Sequence, residues 1–269
     1  MAADEVAFDP AGRWGGRLTS RDLPDDPTVE ALPAADRAEL ATHWLQRGAS
    51  ELRVGESFAV IRDALAEHGS DHLAALAARA VDDEARHAQL SRVVASRYAG
   101  VELAPLPRLP HSVPAHASAP PALRRSLWVV GQCCLNETIA TAVLEASFAA
   151  TRAPLARAAL RELLADEVDH ARIGWAHLAE LDAGVRDSLG PWLLPLTRAN
   201  VRMWRTTPRD YPSRPELVEH GALTRELLEG AIQAALRDLV IPGFTRLELQ
   251  TEPLRRWADA GTPTEQETP

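Results

Sequence analysis

Residues 82–87 read Asp-Asp-Glu-Ala-Arg-His, and 83 residues further on, at 165–170, the chain writes Ala-Asp-Glu-Val-Asp-His. Both copies contain Asp-Glu-x-x-His. On a helix Glu84 and His87 stand three apart and share a face, as do Glu167 and His170. Each pair can aim a carboxylate oxygen and an imidazole nitrogen at one point, which makes half of a site for a divalent transition metal. A single pair is common on solvated helices, so the weight falls on the repetition and on what faces each copy.

Glu56 lies 28 residues before Glu84 and Glu137 lies 30 before Glu167, each across one turn-like break. If the hairpins turn near Gly69 and Ala153, both carboxylate pairs come level to within about 3 Å at helical rise. Glu137 shares its face with Val130, Cys133, Cys134, Ala140 and Leu144, and Glu56 has Leu52, Ala59 and Val60 around it. Glu84 follows Ala77, Ala80 and Val81, and Glu167 follows Leu160, Leu163 and Leu164. All four glutamates therefore read as core-facing. Glu51 is set aside, because it lies about 140° around the helix from Glu56 and its spacing to Glu84 is longer.

Four carboxylates converging in a core are expensive to desolvate and repel one another unless cations are bound among them. Two divalent ions balance them, and two histidines complete the coordination. The sequence thus predicts a four-helix bundle in which each half contributes one Glu and one Glu-x-x-His to a dinuclear centre. Asp83 and Asp166 each precede a histidine by four residues, so each can accept the second imidazole N–H, with Arg86 neutralising one of them. Their plainer reading is as surface acids. His177 reads as a hydrogen-bonded core histidine, and Cys133 and Cys134 as small apolar core residues.

The surrounding pattern is helical throughout, without β-branched alternation, so the fold class is all-α. Residues 1–33, rich in Gly, Pro and Asp, read as an extended N-terminal arm. Residues 34–240 form the helical domain, with its core bundle at 50–183, and 241–269 is a C-terminal tail. Residues 101–121 hold six prolines and read as a long crossover. Helices are expected at 122–152 and 154–183, and again near 192–205 after Gly190-Pro191.

Composition removes several function classes. The net charge is −9 without a basic cluster, which argues against nucleic acid as a partner. All 29 basic residues are arginine, excluding lysine Schiff bases and the phosphate-binding GxxxxGK[ST] loop. The acidic start MAADEVAFDP, the adjacent cysteines and the lack of an apolar run of about 20 residues point to a soluble, cytoplasmic chain with no membrane partner.

Over about residues 50–183 these segments resemble the ferritin-like di-metal carboxylate superfamily, in its E…ExxH…E…ExxH branch. DEARH is similar to the DExRH of bacterial multicomponent monooxygenase hydroxylases, whereas DEVDH departs from it at the arginine. The short spacings and extra C-terminal helices are similar to aldehyde-deformylating oxygenases. The resemblance implies a ferritin-like four-helix bundle with a long crossover. Its metal ligands would be Glu56, Glu84, His87, Glu137, Glu167 and His170, with Glu84 and Glu167 bridging and no catalytic side chain beyond them.

Such proteins are non-haem diiron oxygenases or oxidases, monooxygenases among them, which reduce O2 and oxidise a bound substrate. The cofactor implied is two Fe ions, with Mn or mixed Mn/Fe compatible with the same ligands. A small organic substrate would fit between the helices, where Ala59, Ala77, Ala80, Ala140, Ala171 and Gly174 leave room. Electrons would come from an external donor or reductase, since no flavin or nicotinamide fingerprint is present. A homodimer is one allowed assembly. The alternatives are a dimanganese catalase-like peroxidase and a non-catalytic iron-binding helical protein.

Overall fold

The computed structural model describes residues 22–108, 113–206 and 215–260, and every regular element among them is helical. A short α1 (Pro27–Ala31) precedes α2 (Ala34–Ala66) and α3 (Asp71–Ala99), which form the first hairpin. The second consists of α4 (Pro121–Val129), a π-helical segment (Val130–Asn136) and α5 (Glu137–Ala150), followed by α6 (Pro154–Glu180). Then come α7 (Ala183–Thr206), a 3-10 turn (Pro215–His220), α8 (Arg225–Ala234), a second π segment (Ala235–Val240), α9 (Ile241–Arg246) and α10 (Glu252–Asp259).

The two long motif helices bury stripes spaced alternately by three and four residues. On α3 the stripe includes Ala77, Ala80, Glu84, His87, Ser91 and Val94; on α6 it includes Leu160, Leu163, Glu167, His170, Gly174 and His177. This is the seam by which near-parallel helices pack, and α3 packs on both α2 and α6. Each stripe is apolar at both ends and charged in the middle. One apolar layer joins Leu40 and Trp44 of α2, Leu90 and Val94 of α3 and Leu160 of α6. The other joins Phe58 and Ile61, Leu73 and Ala77, Val129 and Ile173. The bundle therefore encloses its charged residues between two apolar layers, which keep them buried.

The helix α2 runs unbroken over 33 residues across Gly48 and Gly55. Three regions differ from the sequence reading. Pro191 and Pro195 lie inside α7, whose Leu189, Leu193 and Leu196 are anchored in the core on both sides of them; packing overrides a local penalty of about 3 kcal/mol per proline. Residues 241–260, expected as tail, form α9 and α10, with Ile241, Phe244, Leu249 and Leu254 in the core. Within the expected arm, α1 is capped by Asp26, whose other oxygen accepts from the Leu155 N–H at 3.0 Å and ties α1 to the start of α6. Residues 1–21 of the arm and the last nine residues lie outside the described residues, as do 109–112 in the crossover.

Among the described residues, one run, Pro121–Ala150, is long and apolar enough by composition to cross a bilayer, and 72% of its apolar window is buried inside the protein. That burial is what a core helix of the bundle requires.

Candidate metal centre

Between the two apolar layers the repeated motifs meet face to face. His87 points its Nδ1 at Glu84 Oε2 and Glu167 Oε1, both at 3.6 Å. His170 points its Nδ1 at Glu84 Oε1 and Glu167 Oε2, both at 3.2 Å. The two rings stand 6.0 Å apart. Glu84 and Glu167 thus lie between the histidines, and each motif serves both sides of the cluster.

Two four-residue groups can each surround an ion, their donor atoms lying within 4.8 Å of one another. Glu51, Glu84, His87 and Glu167 form one; Glu84, Glu137, Glu167 and His170 form the other. Glu84 and Glu167 belong to both, as the arrangement of a dinuclear site requires. The expected residues Glu84, His87, Glu137, Glu167 and His170 are brought together here.

Glu56 is not. Its side chain is 41% exposed and faces Arg108 at 3.5 Å from across the first hairpin. Glu51, 9% exposed, takes the place expected for it. From the observed turn, Glu51 is 15 residues before the end of α2, Glu56 is 10, and Glu84 is 13 after the start of α3. Glu51 is therefore level with Glu84 to about 3 Å and Glu56 only to about 4.5 Å. Orientation matters as much. A Cβ on Gly55 would lie 3.3 Å from Glu84 Cβ, and one on Gly48 would lie 3.2 Å from Ser91 Cβ. The α2 face against α3 thus runs Gly48, Glu51, Gly55, at spacings of three and four. The signal was in the sequence: two glycines seven apart mark a close helix crossing with Glu51 between them.

The second imidazole nitrogens are held from the opposite helix. His87 Nε2 lies 3.1 Å from Asp166 Oδ2, and His170 Nε2 lies 3.6 Å from Asp83 Oδ2. Arg86, fully buried, pairs with Asp166 and lies 3.7 Å from Glu162. Arg79, which the sequence reading missed, sits 3.4 Å from Asp83 and 3.8 Å from Asp169. It counters the Asp83 charge as Arg86 counters that of Asp166, so the outer layer is balanced although the two motifs differ.

The π-helical segment sets the environment of Glu137. Its i→i+5 hydrogen bonding widens the turn and brings residues five apart onto one face. Gln132 thereby donates to Glu137 Oε1, and Asn136 donates to the same oxygen at 3.2 Å. Asn136 Oδ1 in turn accepts from Trp204 Nε1 of α7 at 3.0 Å. At the other edge of the segment Gly174 lets α6 approach so closely that a Cβ there would meet Cys134 Sγ at 2.6 Å. The room expected at Gly174 is thus filled by the two cysteines, and Ala77 and Ala80 are packed in the core.

The open space lies elsewhere. A cavity of about 170 Å³ separates α2 from α5 and is roofed by Met203 and Trp204, with Glu51, Glu137 and Glu167 on its wall. Of the alanines expected to leave room, Ala140 lines it.

In the metal-free cluster, protons stand where cations would. Burial pushes the Glu51 carboxyl up to about 8, helped by Glu84 and Glu167. Burial and Glu167 also push Glu137 well up. Burial alone would lower His87, but Asp166 and Glu84 outweigh it and raise it to about 10. His170 is likewise raised, by Asp83, Glu167 and Glu84 against its burial. Burial opposes ionisation of Glu84, yet His170 and His87 hold it down to about 2. Both Glu84 oxygens and His87 Nδ1 nonetheless lack a properly directed hydrogen bond. Orphaned buried donor atoms converging on one space fit a metal, since ions satisfy them and neutralise the carboxylates together.

No known protein family, curated protein or solved structure matches this chain.

Proposed function

We infer that the protein is a ferritin-like dinuclear metal oxidoreductase, using O2 to oxidise a small organic molecule bound between α2 and α5. What carries the reading is the sharing of Glu84 and Glu167 between two ligand groups at the wall of a cavity. A purely structural cluster of charges would have no use for an adjoining cavity, and desolvating it would oppose folding.

Glu51 and His87 would hold one ion, Glu137 and His170 the other, and Glu84 and Glu167 would lie between them. Two iron ions, when bound, supply the one-electron redox chemistry that lets O2 react with an organic molecule. Asp166 keeps the His87 imidazole in one tautomer by accepting its Nε2–H, which directs the Nδ1 lone pair inward, and Asp83, 3.6 Å from His170 Nε2, favours the same tautomer there electrostatically. Arg86 and Arg79 pair with those aspartates and hold them in place. Val143, Leu144 and Trp204 keep water from the cavity side and give a substrate an apolar surface beside Glu51 and Glu137. Electrons come from an external donor, because no cofactor-binding fingerprint accompanies the site.

The test is stopped-flow absorption on protein loaded anaerobically with two Fe(II) per chain and mixed with O2. A transient visible band with O2 uptake is expected. Stoichiometric iron without an O2 reaction would contradict the oxidase reading. Peroxide disproportionation by the Mn(II)-loaded protein would favour a dimanganese catalase instead.

A further inference from the structure

With two divalent ions in the cluster, the cavity beside it would carry positive charge that the cluster does not use. The acids on its wall are Glu51, Glu137 and Glu167, and each belongs to a ligand group. Two divalent ions balance the four cluster carboxylates, so the formal charge left on the wall is that of Arg47 and Arg53 from α2. Arg47 stands over the Trp44 ring, its Cζ 5.4 Å from the centroid, and acts on Glu51. Arg53 is partly buried, lines the cavity and has no ion pair or side-chain hydrogen bond among the described residues. A partly buried arginine on a cavity wall, without a carboxylate of its own, is a group for binding one, since its planar fork matches carboxylate geometry.

The opposite wall is apolar, formed by Ala140, Val143 and Leu144 of α5 with Trp204 of α7. The volume of about 170 Å³ is near the roughly 150 Å³ that holds a benzene ring. A long lipid chain exceeds it. A charged polar wall, an apolar wall and single-ring size together define one ligand class.

We propose that the substrate is a small organic acid, a monocarboxylate whose apolar body is no larger than one ring or a short chain. Its carboxylate pairs with Arg53, its body rests against α5 and α7, and its far end lies beside Glu51 and Glu137. The proposal rests on the metal-centre reading above, since without bound cations Glu51 and Glu137 would oppose an anion.

The test is isothermal titration of phenylacetate and of its uncharged isostere phenylacetamide into the Zn(II)-loaded full chain, with metal counted on the same sample. Wild type should bind the acid about tenfold or more tightly than the amide. Arg53→Gln should reduce that preference to about threefold or less while keeping two metals and the wild-type melting temperature. Arg53→Lys should recover part of it. Equal binding of acid and amide by wild type would overturn the proposal. So would an acid preference unchanged in Arg53→Gln, which would place the carboxylate on the metals. Fewer than two metals would overturn this proposal and the metal reading together. Acid binding that depends on Arg53 without O2 turnover by the iron form would support this proposal and contradict only the oxidase reading.

Discussion

His87 on α3 and Asp166 on α6 face each other across the bundle, with His87 Nε2 3.1 Å from Asp166 Oδ2 and Arg86 donating to the same oxygen. Each motif therefore orients the histidine of the other. Asp166→Asn should lower metal affinity about 10- to 100-fold, the usual loss when a carboxylate behind a ligating histidine is removed. It should also destabilise the metal-free fold by about 3 kcal/mol, the lower end for a broken buried pair, because Glu162 remains near Arg86. Metal titration and urea denaturation measure the two effects separately.

Glu51 and Glu56 are distinguished by metal stoichiometry. Glu51→Gln should lose tight binding of one ion, since Glu51 belongs to the group around His87 alone. Glu56→Gln, altering an exposed side chain opposite Arg108, should retain two. The reverse result would restore the spacing argument from the sequence.

Metal uptake should release protons. Glu51, raised to about 8, and His87, raised to about 10, favour the protonated form at pH 7 when no cation is bound, and Glu137 and His170 are raised in the same direction. Loading two divalent ions should therefore release at least two protons per chain, and the overall binding constant should rise with pH below pH 8. Calorimetry in buffers of different ionisation enthalpy counts them. Release of fewer than two would contradict this charge balance.

The motif helices were legible because one spacing of three and four residues sets both the ligand pairs and the packing seam of α3 and α6. The inward face of α2 was not. Apolar residues surround Glu56, and only Gly48 and Gly55 mark the face against α3. The Gln132–Glu137 contact was hidden for another reason: residues five apart diverge on an α-helix, and nothing in VGQCCLN announces a π turn. The C-terminal helices were not legible: Pro242 and Gly243 lie inside one helical run from Arg225 to Arg246, where the π segment Ala235–Val240 and the burial of Ile241 and Phe244 accommodate them.

Gly174→Ala tests the contact between α6 and the π segment. Its new Cβ would lie 2.7 Å from the Cys134 backbone nitrogen and 2.8 Å from Cys133 Cβ. Backbone cannot swing aside, so a loss of about 1–3 kcal/mol is expected, with weakened metal binding because Glu137 follows the segment. Thermal denaturation with and without metal checks both.

His177 should make the fold acid-sensitive. Burial, aided by Arg125, pushes it from 6.5 down to about 4, and it hydrogen-bonds to Ser126 at 3.0 Å. Between those values the unfolded chain binds a proton that the folded one does not, so this contribution is lost as pH falls from 6.5 toward 4. The slope is up to about 1.4 kcal/mol per pH unit. Comparing wild type with His177→Gln at pH 7 and pH 5 isolates it; equal slopes would place the titrating group elsewhere.

The most direct test of the account is metal counting on the folded chain after anaerobic equilibrium with Fe(II) or Mn(II). Wild type should hold two ions per chain, and Glu84→Ala, which removes a residue common to both groups, should hold none tightly while its helical circular dichroism is unchanged. Wild type without tightly bound metal, or Glu84→Ala retaining two ions, would contradict it.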